Sequence, residues 1–312
     1  MDIKRISAVA LSNRDFESFE DKLAEACRWV ALAAGMGSEL AVLPEAINLY
    51  CGDGPDNPRQ LAIAEVAIDD WQGSCRAILD CASTHKIAVT VPIFLREGGR
   101  ILNCFYLVSK SGQVLGRYVK THPTPGELEQ GVVPGETPKP IAWAGLKVGG
   151  AICFDMNFQE LFDRQKADGV DLFLCPSLCP GGDQVNYYAG SLAATAVVAY
   201  PAWSRIINVL GRTVAQGGHR HETLRFGFGV PLYTADINFD TAVFHFDRNQ
   251  QRIEAILRRY GSDVRIEFDQ DNSRFALESR SANLTVKQVI EEFSLQPIDE
   301  FFAEYRRILR GD

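Results

Sequence analysis

Apolar and polar positions along this chain repeat with two different periods, and the switch between them recurs almost from end to end. Residues 3–11 read as a buried strand, and over 15–34 Phe16, Phe19, Leu23, Cys27 and Val30 fall at helical spacing. The run "ELAVLPE" predicts a short buried strand broken by Pro44 immediately before Glu45. A helical pattern returns over 58–85, with Trp71, Cys75, Ile78, Leu79 and Ala82 on one face. "KIAVTVPIFLRE" predicts a strand, and "RILNCFYLVSKSGQVLGRYVK" a hairpin that turns at Ser111-Gly112 and ends at Lys120. The proline-rich stretch 121–140 reads as loop. Next come a strand ending in Cys153, a helix over 157–167, the strand "VDLFLCPS" and an Ala-rich helix over 183–199. "WSRIINVLG" and "LYTADINFD" close the strand set.

Strands and helices in alternation favour a layered α/β fold over separate all-α and all-β halves. No linker, low-complexity tract or solenoid-length repeat divides the chain. Near its end, Val286, Val289, Ile290 and Phe293, then Phe301, Phe302, Tyr305 and Ile308, fall at helical spacing. The expected organisation is therefore a body over 1–280 and a helical extension over 281–312. The apolar stripe of that extension must cover either the body or a second subunit, so a homodimer or larger homo-oligomer is expected.

Composition narrows the picture. Of 312 residues, 46% are hydrophobic and 23% charged, as in an ordinary soluble globular protein, and the chain is long enough for a full core. A net charge of −8 argues against nucleic acid, which needs a basic face. The apolar run near the amino terminus is too short for a signal peptide, and nothing approaches the roughly 18 apolar residues of a membrane span. Eight cysteines spread through periodic segments read as reduced thiols in a cytoplasmic protein.

Three strand ends carry candidate chemistry. Glu45 follows "LAVLP", Lys120 follows "LGRYV" and Cys153 follows "VGGAI". Strand ends can converge in one crevice of an α/β fold. A thiol is only slightly ionised at neutral pH, so a nucleophilic cysteine needs a base or a nearby cation. Glu45 is placed to be that base. Lys120 is placed to favour the thiolate and then to hold the oxyanion formed when sulfur attacks a carbonyl carbon. Taken singly, each has an ordinary reading: a packed cysteine, a solvated turn glutamate, and a lysine guarding a sheet edge.

Taken together, "AVLPEA", "GRYVKTH" and "GGAICFDMNFQELFDRQKADGVDLFLCPS" resemble the three signature segments of the nitrilase superfamily of carbon–nitrogen hydrolases, over about residues 3–236. The resemblance implies a four-layer α-β-β-α sandwich and a Glu–Lys–Cys triad that needs no cofactor. Glu45 would be general base, Lys120 would steady the tetrahedral intermediate, and Cys153 would be nucleophile. The Phe154 N–H would complete the oxyanion site. A second glutamate would come from Glu127 or Glu129, of which Glu127 is preferred. Cys153-Phe154-Asp155 resembles the amide- and carbamoyl-cleaving pattern rather than the Cys-Trp-Glu of nitrile-cleaving members. Two features depart from the family: Asn157 stands where many relatives have arginine, and the Arg-Ala-x-Glu-Asn motif is absent, although Asn208 matches its asparagine.

Tyr50, Asn157, Ser177 and Cys179 are candidate pocket walls. His122 reads as a residue hydrogen-bonded within a rigid loop. No metal site is expected: His219 and His221, or Cys175 and Cys179, lack a strong ligand spacing. Nor does "GDG" at 52–54 make a phosphate loop. The leading function is hydrolysis of a small linear amide or N-carbamoyl amine through a thioester. The alternatives are acyl transfer, nitrile hydrolysis and a non-catalytic assembly role.

Overall fold

The computed structural model describes residues 1–12, 16–51, 61–218 and 231–311. The chain opens with β1 (Ile3–Val9), α1 (Phe19–Gly35) and β2 (Leu40–Val42), followed by three helices, α2 (Ile63–Val66), α3 (Trp71–Ser74) and α4 (Arg76–His85). Then come β3 (Ala88–Glu97), β4 (Arg100–Val108), β5 (Val114–Val119), α5 (Pro125–Glu129), β6 (Ile141–Trp143) and β7 (Leu146–Gly150). After a 3₁₀ turn, Cys153–Asn157, follow α6 (Gln159–Ala167), β8 (Leu172–Pro176), α7 (Gln184–Ser191), β9 (Thr195–Ala199), β10 (Ser204–Ile207), β11 (Thr213–Gly217) and β12 (Leu232–Asn238).

These strands make two six-stranded sheets, ordered β12-β1-β2-β3-β4-β5 and β11-β10-β9-β8-β7-β6. Both are covered on two faces, and the period-2 pattern shows it. In β1 and β2, Ile6, Ala8, Leu40 and Val42 face the second sheet, while Val9 and Ala41 face α1 and α4. In β8 and β9, Leu172, Leu174, Val197 and Ala199 face the first sheet. Phe173, Cys175, Ala196 and Val198 face α6 and α7. The result is the four-layer α-β-β-α sandwich.

Two glycines set how closely the layers approach near Cys153. A Cβ on Gly150 would lie 2.5 Å from the Tyr118 ring, and one on Gly149 would lie 2.5 Å from Gln165 Oε1. The Gln165 amide holds this glycine edge by accepting from Gly150 N–H and donating to its carbonyl, both at 2.8 Å.

The remaining residues add β13 (Thr241–His245), α8 (Phe246–Tyr260), β14 (Val264–Asp269), β15 (Arg274–Ser279), α9 (Val286–Phe293) and α10 (Ile298–Arg310). The strands form an antiparallel sheet, β13-β15-β14, and share one apolar cluster with α8 and α9. That cluster runs across position 280, from Phe244 and Phe275 to Val286 and Val289. Arg274 ties the unit to the body by donating to the Gly190 and Leu210 carbonyls. Phe302, Tyr305, Ile308 and Leu309 on α10 are exposed.

Several sequence expectations are corrected. The helix expected over 183–199 stops at Ser191, and "TAVVA" is β9, paired parallel to β8 with Leu172 opposite Thr195. Its β-branched residues are buried on both faces, so no alternation marked it as a strand. The helical stretch over 58–85 is broken at residues 67–70, where Ile68 N–H bonds the Phe94 carbonyl at the edge of β3. The helix expected from 157 starts at Gln159, behind the 3₁₀ turn. The proline-rich "loop" contains α5, and strands β11, β13, β14 and β15 were not anticipated.

Candidate active site

One end of the sandwich collects the ends of β2, β5, β7 and β8. At its centre the Lys120 ammonium, 1% exposed, lies between two carboxylates. It donates to Glu45 Oε1 at 2.9 Å and to Glu127 Oε2 and Oε1 at 2.8 and 3.0 Å. The Asn103 amide, inside β4, bridges the same two acids, donating to Glu45 at 2.7 Å and Glu127 at 2.6 Å. Glu45 Oε2 accepts the Leu178 N–H at 2.8 Å from the opposite sheet. Burial opposes the Lys120 charge, but Glu45 and Glu127 outweigh it and raise its pKa above the ordinary lysine value. Burial likewise opposes the Glu127 charge, yet Lys120 and the Thr124 N–H carry its pKa below the usual glutamate value.

Local chemistry places each group. Thr124 caps α5: its hydroxyl accepts Glu127 N–H at 3.2 Å, and the Glu127 carboxylate accepts Thr124 N–H at 2.7 Å. With Pro125 at the first helical position, this is a capping box, and it turns Glu127 inward while Glu129 stays exposed. The turn after Glu45 is hung from α1 by buried Lys22, which donates to the Ala46 and Leu49 carbonyls at 3.2 and 2.6 Å. Ala46 there adopts φ 55°.

Cys153 also has positive φ, 47°, a conformation that costs a non-glycine residue roughly 1–3 kcal/mol. Asp155 holds the turn in place. Its buried carboxylate accepts Ile152 N–H at 3.0 Å and Tyr118 O–H at 2.8 Å through one oxygen. Through the other it accepts Thr121 O–H and His122 N–H, both at 2.8 Å, and it meets His122 Nδ1 at 2.9 Å. One side chain thus joins the cysteine turn to the segment just past Lys120. His122 also stacks on Phe158, so it belongs to this loop scaffold.

Interaction with Cys179, then burial and the Glu45 charge, push the Cys153 thiol pKa up against the pull of Lys120. The Cys179 sulfur accepts from Ser177 O–H at 3.4 Å, and interaction with Cys153, opposed by burial and aided by Ser177 and Gly181, draws its pKa down.

The profile of the carbon–nitrogen hydrolase family matches residues 5–242. The chain belongs to that family. Among its relatives, deaminated glutathione amidase of Mus musculus is 30% identical over 46% of this chain and 48% of its own length. Omega-amidase NIT2 of Homo sapiens is 24% identical over 69% of this chain and 84% of its own. The chain spans about half the length of the first curated relatives it matches. The fold of an amidase from Nesterenkonia sp. superposes with a TM-score of 0.62 at 22% identity, over 75% of this chain and 89% of that one.

In this chain Lys120 touches both Glu45 and Glu127, and Cys153 stands within the field of Glu45 and Lys120. Phe154 follows in the same turn, its ring edge-on to Phe158. Ser177 is fully buried and orients the Cys179 backbone through bonds of 2.6 and 2.9 Å. Exposed Asn157 caps the turn through the Phe154 carbonyl at 3.0 Å, and Tyr50 packs on the cluster of Leu61, Ile63 and Phe94. Asn208 closes the turn after β10, accepting from Leu210 and Arg212 N–H. His219, His221 and residues 52–54 lie outside the described residues. No helix among the described residues is long and apolar enough to cross a membrane.

Sequence reasoning missed four residues that build the site: Asn103, Asp155 as a clamp, Lys22 and Arg205. Arg205 fastens the loop after β8, donating to the Pro180 and Gly182 carbonyls and Asn186 Oδ1 at 2.8–2.9 Å. The amide inside the apolar run "RILNCFYLV" was a readable signal, because a buried side-chain amide must find partners. The partners of the others are remote in sequence.

Proposed function

We propose that this protein is a cysteine-dependent amidase, cleaving a small linear amide or N-carbamoyl amine through a thioester. Cys153 Sγ attacks the carbonyl carbon while Glu45 takes the thiol proton. The raised thiol pKa supports base-assisted attack over a standing thiolate. Lys120 and the Phe154 N–H hold the oxyanion. Glu45 returns the proton to the departing ammonia or amine, then activates water to free Cys153. Glu127, with Asn103, fixes Lys120, and Ser177, Cys179, Tyr50 and Asn157 border the pocket. The observation that carries this reading is a buried lysine clasped by two glutamates beside a thiol in a strained turn. The amidases among the relatives support the choice of bond.

Residues 1–240 act as the catalytic body in this reading. The unit from 241 onward, extended beyond the helical tail over 281–312, presents α10 to a second copy in a homo-oligomer. The exposed stripe of Phe302, Tyr305 and Ile308 supports that role. The cytoplasm is the proposed location, from the many thiols in the sequence. The test is a panel of amides, N-carbamoyl amines and nitriles scored for ammonia release with wild type and Cys153→Ala. Amide or carbamoyl turnover that vanishes in Cys153→Ala is expected. Nitrile turnover as efficient as every amide and carbamoyl compound would overturn the substrate class, and a fully active Cys153→Ala would overturn the mechanism.

A further inference from the structure

An ionised carboxylate offers about four lone-pair sites, and the filling of those sites separates the two glutamates at Lys120. Glu127 has none left. Its Oε1 accepts from Lys120 at 3.0 Å and Asn103 at 2.6 Å, and its Oε2 from Lys120 at 2.8 Å and the Thr124 N–H at 2.7 Å. Glu45 Oε1 is filled as well, by Lys120 at 2.9 Å and Asn103 at 2.7 Å. Among the described residues, Glu45 Oε2 accepts a single bond, the Leu178 N–H at 2.8 Å, from the sheet that also brings Cys153. That oxygen keeps an open site.

Asn103 makes the difference between the oxygens. It is fully buried inside β4, and its own carbonyl accepts the Lys120 N–H at 2.8 Å. Both hydrogens of its side-chain amide go to the acids, while Oδ1 has no hydrogen-bond partner. The orientation is the one that ionised acids require. Turned over, the amide would set Oδ1 against two carboxylate oxygens, one of which would have to carry a proton.

We propose that Asn103 is a positioning residue that closes the acceptor sites of this cluster except the one on Glu45 Oε2, so that the thiol proton goes to that atom. The inference rests on Glu45 as general base. The Cys153 S–H bond breaks as an O–H bond forms at Oε2, and the same proton then passes to the leaving nitrogen. Glu127, with every site filled, stays an anion beside Lys120 throughout. Without the amide, one site opens on each Oε1, and a proton held between the two acids occupies the base before the thiol can use it. The other titratable groups that meet the cluster among the described residues are Cys153 and Cys179, whose thiols feel the Glu45 charge, and Lys22, which binds the backbone of the turn after Glu45.

The experiment follows kcat/KM against pH for wild type, Asn103→Leu and Asn103→Asp, with far-UV circular dichroism as the check on folding. In both variants the acid limb should move up by about one pH unit, so that activity lost near neutrality returns as pH rises. In wild type, the Glu127 carboxyl carbon resonance, assigned by its absence from Glu127→Gln, should show no protonation across the acid limb. An unmoved limb in a folded variant, or a rate loss equal at every pH, overturns the proposal. So does a Glu127 resonance that titrates with the limb, a measurement for which no Asn103 variant has to fold. Glu45→Gln separates the two readings. Full activity there refutes Glu45 as the base, whereas an inactive Glu45→Gln beside an unmoved limb in Asn103→Leu refutes only the part given to Asn103.

Discussion

Replacing Lys120 by methionine should destabilise the protein in a way that depends on pH, besides removing turnover. In wild type the single ammonium lies between Glu45 and Glu127 and attracts both, and their oxygens both bond the Asn103 amide nitrogen at 2.7 and 2.6 Å. Two oxygens on one donor are no more than about 5 Å apart, and at an effective dielectric of ~20 unit charges at that distance repel by roughly 3 kcal/mol. Breaking a buried ion pair typically costs about 3–5 kcal/mol, so the two routes agree. At this chain length, about 3 kcal/mol lowers the melting temperature by roughly 5 °C. The acids can escape by sharing a proton, because mutual repulsion favours protonating one of them. The deficit should therefore be full near pH 8 and shrink toward about pH 5. Wild type does not confuse this window. The depressed Glu127 pKa gives stability that is present above the ordinary glutamate value of about 4.3 and lost only as pH falls below it. The raised Lys120 pKa gives stability held below the ordinary lysine value of about 10.4 and lost only in stronger alkali. Melting curves at both ends of the window, with Lys120→Met/Glu127→Gln as the relieved control, provide the assay. An equal deficit at both pH values, or a double variant no more stable than the single one, would refute the reasoning.

Three other outcomes are expected. Glu127→Gln should lower kcat by about tenfold or more, a loss of ~1.4 kcal/mol, while Glu129→Gln stays at wild-type rate, measured side by side by ammonia release. Asp155→Asn should set an amide donor against the donors of Ile152 and Tyr118 or of Thr121 and His122, costing about 1–3 kcal/mol in stability by chemical denaturation. Arg205→Met should leave the Pro180 and Gly182 carbonyls without their donor, so limited proteolysis over residues 178–183 should accelerate while far-UV circular dichroism is unchanged.

What the sequence disclosed about this site follows from distance along the chain. Glu45, Lys120 and Cys153 each ended an apolar run, and their segments resemble known signatures, so both local pattern and family pattern pointed to them. The choice of Glu127 over Glu129 was also local. Thr124-x-x-Glu127 with Pro125 is a capping signature, but four prolines within the stretch before Lys139 made loop the stronger reading. β9 was hidden because burial on both faces erases the period that separates strand from helix. Asp155 and Arg205 were opaque for another reason. The partners of Asp155 include Tyr118 and Thr121, more than thirty residues away, and Arg205 reaches back to Pro180 and Gly182. No spacing rule connects such residues before the sheets meet.

The Leu178 N–H that donates to Glu45 comes from the second sheet, whereas Glu45, Asn103 and Lys120 stand on the first. Neither sheet holds a workable site alone. Cys153 and Cys179 arrive with one half of the sandwich, the acids and the ammonium with the other, and the apolar layer between them is what closes the circuit. In the proposed mechanism, turnover therefore gauges how tightly the two halves are clasped. A fluctuation that parts them by a few ångströms would dismantle the chemistry while every helix remained wound, so activity should fade before circular dichroism reports any loss of secondary structure.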